Sequence, residues 1–239
     1  MDVHQISMDC RRTEFVGTAV LDTIGLVIPS VNDALLDKMN LPEAKRFSTL
    51  GLITSRTGAA GQLTALDDAL KATKSTLISV ELPRDTKGWG GHGNYIIIGS
   101  NDVSDARRAV DMTLKLTNKY AGELYISEAG HLEFAYTANA GPVLQEVFGA
   151  APNQAFGFFA GSPAAIGLVM ADNALKASNT DIVTYMTPDL GTSHSNEVIL
   201  AVSGTASSVK RAVLEARQVG LELLISMGSY PDCPGESYL

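Results

Sequence analysis

Ala69-Leu70-Lys71-Ala72-Thr73 and Ala174-Leu175-Lys176-Ala177-Ser178 are nearly the same five residues met twice in one chain. Around them, Thr64 to Pro83 aligns with Val169 to Pro188 without a gap, matching Asp67 to Asp172, Leu77 to Ile182 and Val80 to Tyr185. The copy extends upstream, where Leu50-Gly51-Leu52-Ile53 answers to Phe156-Gly157-Phe158-Phe159, and downstream, where Ala106 to Val110 answers to Val209 to Val213. A fainter match joins Val27 to Ser30 with Ala135 to Ala138. A repeat this long means one supersecondary unit folded twice. It divides the 239 residues into a first domain over 13–121 and a second over 122–228, with short tails at 1–12 and 229–239.

Within one copy the pattern is specific. Thr49 to Thr54 and Ala155 to Ala160 are short apolar runs bounded by Gly, Ser or Pro, which suits buried strands. Leu63, Leu66 and Leu70 in one copy, and Val169, Ala174 and Leu175 in the other, then recur on one helical face. Alanine keeps that face narrow. Thr76 to Leu82 and Asp181 to Met186 read as strands ending at Pro83 and Pro188. Tyr95 to Gly99 and Val198 to Val202 are β-rich runs. A helix follows each, with Asp102 or Ser104 as the expected cap of the first and Ser207 or Ser208 of the second. Glu14 to Ile28 and Glu123 to Tyr136 look like hairpins before a short helix. The sum is an α/β class chain, more closely an α+β sandwich, with helices packed on a small antiparallel-containing sheet in each domain.

Composition excludes several functions. A formal charge of -8, from 26 acidic and 18 basic residues, with no basic run, argues against a nucleic-acid partner. Cys10 and Cys233 lie in opposite tails, so neither copy is built on a disulfide or a metal, and a reduced, cytoplasmic setting fits. Met1 to Arg12 has no apolar core for a secretion signal. The long uncharged stretch from Val147 to Ala171 is broken by Pro152, Asn153, Gln154 and Pro163, so no membrane span is expected.

Several patterns imitate active sites. Gly88-Trp89-Gly90-Gly91-His92-Gly93 is a literal GxGxxG, but it leads into a strand and offers no helix N-terminus to a phosphate. His131-Leu132-Glu133 resembles the HxE of zinc deaminases, but only one cysteine, Cys233, could complete that pattern, so alternating polar residues on a strand are expected. His194 sits between Ser193 and Ser195 with no acid to orient it. Asp67-Asp68 and Asp172-Asn173 lie inside helices and read as solvated faces. No group is expected to act as nucleophile, metal site or acid-base pair; catalytic residues, metal and cofactor are all expected to be none.

Leu50-Gly51-Leu52-Ile53, then Asp67-Asp68-Ala69-Leu70-Lys71-Ala72, then a hairpin with a glycine-rich loop, resemble the bacterial microcompartment shell domain. Phe156-Gly157-Phe158 and Ala171 to Ala177 repeat the resemblance. Because the strand pair at Phe15 to Ile28 precedes the glycine-bearing strand, the chain resembles the tandem, circularly permuted class, and in particular the shell proteins of propanediol-utilisation microcompartments. The resemblance covers nearly the whole chain. It implies a homotrimer acting as a flat pseudohexamer, tiling with other shell proteins around encapsulated enzymes, which the N-terminal tail is a candidate to contact.

The same resemblance implies roles for residues. Lys71 and Lys176 match a lysine at the tile edge, where a long amphipathic side chain suits lateral packing. The hairpin loops match the pore: Arg84, Asp85, Thr86, Lys87, Gly88, Trp89, Gly90 and His92 in the first copy, Asp189, Thr192, Ser193 and His194 in the second. Glu81, Arg56 and Thr57 adjoin them and would line smaller channels within or between subunits. Hydroxyls and small residues suit a neutral diol such as 1,2-propanediol or glycerol, while carboxylates set the sign of the field. No cysteine occurs in either loop, so no iron-sulfur cluster is expected. A function of another class, a duplicated sensing or regulatory domain binding a polar effector, is compatible with the same architecture.

Overall fold

The computed structural model describes residues 10, 12–84 and 92–239. Of the expected pore residues, Asp85, Thr86, Lys87, Gly88, Trp89 and Gly90 lie outside the described residues, as does most of the N-terminal tail. In the first half, β1 (Phe15–Ala19), β2 (Thr23–Ile28), β3 (Thr49–Ser55), β4 (Thr76–Glu81) and β5 (Asn94–Ser100) form an antiparallel sheet of order β1-β2-β3-β5-β4. Its helices are α1 (Asp33–Lys38), α2 (Ala60–Lys71) and α3 (Val103–Tyr120). The second half repeats this with β6 (Leu124–Ser127), β7 (Gly130–Thr137), β8 (Ala155–Ser162), β9 (Asp181–Met186) and β10 (Val198–Gly204) in the order β6-β7-β8-β10-β9. Its helices are α4 (Pro142–Phe148), α5 (Ala164–Ala177) and α6 (Ala206–Ser226).

Alternation along the strands decides the layers, because successive side chains point to opposite faces. On β5, Ile96 and Ile98 join the core under α2 and α3, while Ile97 joins Val31, Leu36, Ala44 and Leu50 on the other face, under α1. Three consecutive isoleucines are therefore all buried. The repeated glycine of the central strand has a steric purpose. A Cβ on Gly51 would stand 2.9 Å from Val110 of α3, and one on Gly157 would stand 2.8 Å from both Val209 and Val213 of α6. Only hydrogen at these positions lets the long helix lie that close to its sheet.

Asp102 caps α3 as expected, accepting from Ser104 N at 2.7 Å. The cap of α6 is Thr205, whose hydroxyl accepts from Ser208 N; Ser207 and Ser208 already stand in the first turn, because β10 runs to Gly204 and leaves Thr205 as the first extended residue after it. Residues 229–239, expected as a tail, dock on the second half. Ile126 and Asp232 exchange backbone hydrogen bonds at 2.8 and 2.7 Å, and buried Glu123 accepts from Arg217, Ser237 and the amide of Tyr238. No helix among the described residues is long and apolar enough to cross a membrane.

Gly157→Val is expected to lower stability by about 1–3 kcal/mol, since the added methyls overpack a filled contact. A urea midpoint equal to that of the wild type would refute this account of the glycine.

Candidate functional site

The two halves meet through α2, which packs on α4 and β7 of the second half. One core runs across the joint, with Leu63 and Leu66 sharing a cluster with Val143, Leu144 and Phe148. Within this apolar setting lie carboxylates with defined partners. Asp67, expected on a wet face, is buried. Its Oδ2 accepts from Gly141 N at 2.8 Å, and its Oδ1 from Val143 N at 3.0 Å and Leu144 N at 3.3 Å. Those are the opening amides of α4, whose own N-cap, Gly141, has no side chain to serve them. A helix of the first half thus caps a helix of the second. The expectation failed because the periodicity that marks a non-core face does not distinguish water from a neighbouring half.

Lys71 completes this group. Its ammonium donates to Asp67 at 2.8 Å, to Asp68 at 3.1 Å and to the carbonyl of Asn139 at 2.8 Å, which occupies its three protons. Burial alone would lower its pKa; the hydrogen bonds and charges of Asp67 and Asp68 outweigh that and raise it. Lys176 contrasts sharply: it is well exposed and its partner among the described residues is Asp172, at 2.5 Å. The two lysines expected to be equivalent are therefore in different situations.

Around His92 and Glu197 lies a second buried group, which reading the sequence did not anticipate. His92 ends the first loop, and its Nδ1 is 2.5 Å from Glu197 Oε1; His131 Nε2 is 3.0 Å from Glu197 Oε2. Two residues along β7 from His131, and so on the same face, Glu133 accepts from Ala59 N at 3.0 Å and Ala60 N at 2.8 Å, the opening amides of α2. His131-Leu132-Glu133 does alternate on a strand, but both polar side chains point into the joint. The signal available in advance was two ionisable groups at i and i+2 in a run otherwise apolar.

Burial by itself would lower the His92 pKa. The Glu197 hydrogen bond and charge, with the backbone of Thr192, overcome this and raise it. Burial would raise Glu197, but the two histidines hold it below the ordinary carboxylate value. For Glu133, burial prevails over the amides of Ala59 and Ala60 and the charge of His131, so its pKa is raised. Nearby, Asn94 donates to Ser55 at 2.6 Å and to the Gly58 carbonyl at 3.0 Å, and Gln62 donates to Thr23, Ser55 and the Thr57 carbonyl. Among the described residues no group of His, Cys, Asp and Glu is arranged to hold a metal ion.

The expected loop residues divide by burial. Arg56, Glu81, Arg84, Asp189, Ser193 and His194 are exposed, Thr57 is half-buried, and His92 and Thr192 are buried. Arg84 bridges to His92 across the base of the first loop. At Gly93 the chain passes so close to Ser55 and Arg56 that a Cβ would fall 2.4 Å from the Ser55 carbonyl. The structure therefore gathers Arg56, Thr57, Arg84, His92 and Thr192 near one point, with Glu81 on the edge strand β4. In the second loop, the Thr192 amide donates to the Thr187 carbonyl and its hydroxyl lies within hydrogen-bond reach of the Thr187 and Ser195 carbonyls, and Ser193 and His194 adopt left-handed φ of 49° and 63°. His194 and Asp189 lie 3.7 Å apart in the open.

Two stretches of the chain, 49–129 and 155–231, match the BMC domain family. The chain belongs to the bacterial microcompartment shell proteins. Each match begins at a glycine-bearing central strand, and the first runs past α3 into β6, which pairs in the other sheet. That offset is the trace of circular permutation. This shell protein is 48% identical over 230 residues to the bacterial microcompartment shell protein PduB of Citrobacter freundii, a match covering 96% of this chain and 84% of the relative. It also resembles the crystal structure of a trimeric bacterial microcompartment shell protein PduB, with a TM-score of 0.91 and 44% identity over 95% of this chain and all of the other. The structure of EtuB from Clostridium kluyveri is similarly near, with a TM-score of 0.90 and 42% identity over 96% of this chain and all of that one. Shell proteins of this family are structural rather than catalytic, in keeping with the expectation that the chain is not an enzyme.

The buried group at the joint has a defined pH signature. The contribution of His92, whose pKa is raised above 6.5, is complete below that value and is lost as pH rises through the folded pKa; that of Glu197, depressed below 4.5, is lost as pH falls through its folded pKa. Glu133, with a raised pKa, adds a loss that begins as pH rises above its ordinary value of 4.5 and is complete above its folded pKa. Glu197→Gln should cost about 3 kcal/mol at neutral pH, because it leaves buried histidines without their counter-charge, and should flatten the profile. A denaturation profile for the variant that superimposes on that of the wild type would contradict this.

Proposed function

We propose that this chain is a building tile of a microcompartment shell: three copies close into a flat disc of six domains, with limits near 13–121 and 122–228, and small neutral polar metabolites cross it beside the hairpin loops. The observation that carries the reading is the doubled five-stranded unit joined at a fixed angle by buried carboxylates, in a fold shared closely with a trimeric relative. Two such units per chain and threefold symmetry close a ring. The hydroxyl and small residues of the loops suit neutral diols, and with the resemblance to propanediol-utilisation shell proteins they lead us to assign 1,2-propanediol and glycerol as the solutes. Buried His92 and Thr192 stand beside the segments on which Arg56, Thr57, Asp189, Ser193 and His194 meet solvent. In this reading Lys176, and the exposed part of the Lys71 side chain, whose ammonium is held by Asp67, Asp68 and Asn139, stand at the tile edge beside other shell proteins.

Sedimentation of the purified chain should give three times the chain mass, and concentrated samples should form flat sheets. Asp189→Lys, at a fully solvated position, should leave that mass unchanged while changing the ratio of anionic to neutral solute entering reconstituted shells. An unaltered ratio removes this loop from the passage. Tight, saturable binding of one diol per chain in calorimetry would favour the sensing function instead.

A further inference from the structure

The two sheets are finished differently along β1 and β6. Val27 pairs with Gly51 as Tyr136 pairs with Gly157, so these two residues hold the same place in the repeat. In the first half β1 runs along β2 as far as Leu26, and the Val27 amide then donates to the Glu14 carbonyl at 2.7 Å. In the second half β6 starts only at Leu124, opposite Glu133, because the chain enters it from the helical turn Ala121–Glu123 that follows α3. It therefore stops short of Tyr136. The amide of Tyr136 donates instead to the hydroxyl of Tyr238, at 3.1 Å.

The bed on which residues 229–239 lie is built to receive them. By the same register Gly17 matches Glu123, and Leu114 of α3 matches Arg217 of α6. Gly17 and Leu114 make an apolar contact, whereas fully buried Glu123 pairs with Arg217 at 3.0 Å. A buried carboxylate needs further hydrogen bonds beyond one counter-charge. The Ser237 hydroxyl and the Tyr238 amide supply them, the latter at 3.1 Å. Gly122 lies directly under the segment: a Cβ there would collide with the Glu236 carbonyl, and the Gly122 carbonyl accepts from the Cys233 thiol at 3.1 Å. Tyr238 also meets Tyr120 of the first half edge-on, with ring centres 4.9 Å apart, so the segment touches both halves beside the linker that joins them.

We propose that residues 229–239 form a strap that stands in for the strand extension β6 lacks, and that strap, linker and the open end of β7 lock and release as one unit, separately from the joint made by α2, α4 and β7. Releasing the strap leaves the Tyr136 amide without an acceptor and takes the Ser237 and Tyr238 donors from Glu123, so these parts lose their bonds together. The caps supplied by Asp67 and Glu133 involve none of these residues and stay closed. Such a local opening costs less than unfolding the chain. A partner reaches the β7 edge at Tyr136 only by displacing the strap.

Thiol alkylation and hydrogen exchange on the full chain test this, with exposed Cys10 as the internal reference for a free thiol. In the wild type Cys233 should react more slowly than Cys10. Gly122→Ala should expel the strap, so that Cys233 reacts as fast as Cys10 and residues 229–239 exchange like an unstructured chain, while the amides of Val143 and Leu144 keep their wild-type protection. Tyr238→Phe keeps the ring and removes the acceptor, and should speed exchange at Tyr136 about tenfold, the scale of one buried amide left without its bond. Tyr230→Ala, at a side chain 83% exposed, should change neither readout. The inference is overturned if wild-type Cys233 already reacts like Cys10, if Gly122→Ala protects residues 229–239 as the wild type does, or if releasing the strap also opens Val143 and Leu144. Where circular dichroism shows that Gly122→Ala does not fold, Tyr238→Phe decides alone, and unchanged exchange at Tyr136 refutes the strap.

Discussion

Asp67 and Glu133 each finish a helix that belongs to the other half of the chain. The first four amides of a helix have no partner within it, and a buried amide without one costs free energy comparable to a lost hydrogen bond. Here α4 begins at a glycine and α2 at an alanine, so neither can cap itself. Asp67 supplies the amides of α4 and Glu133 those of α2. Each carboxylate would in turn be an uncompensated buried charge without those amides. The two halves are therefore coupled by need: opening the joint exposes apolar core and strands two helix ends and two acids together.

Around that constraint the remaining features follow. The joint fixes where the base of the first loop meets the second, because His92 reaches Glu197 only across it. It also draws Lys71 inward to Asp67 and Asn139, while Lys176 on the duplicate helix stays in solvent. The repeat thus keeps its backbone plan and diverges in polar chemistry. Glycine at 51 and 157 preserves the approach of the long helix to the sheet in both copies.

Much of this was legible in advance, and the misses have a common cause. The duplication and the strand and helix order rest on local pattern and could be read residue by residue, while the permuted arrangement and the kinship with microcompartment shell domains came from the resemblance of those segments to that family. Asp67 could not, since a helical period shows which residues leave the helix's own core but not what covers them. Glu197 carried no motif at all. His131-Leu132-Glu133 was correctly placed on a strand, yet the significance of its polar face depended on His92 and Glu197, which lie far away in the chain. Residues 229–239 looked like a tail because their partners, Ile126 and Glu123, are distant in sequence.

The sequence by itself determined the elements and their doubling, because periodicity, glycine placement and turn residues act within a few positions of one another, and the resemblance of its segments pointed to the family. Tertiary structure alone decided which of two matching positions is buried. Leu63 and Leu168, or Asp67 and Asp172, hold matching places in the repeat and have opposite surroundings in space. The ALKAT and ALKAS segments that declare the repeat are thus alike in fold and unlike in environment, since burial depends on what packs against a residue and not on what adjoins it.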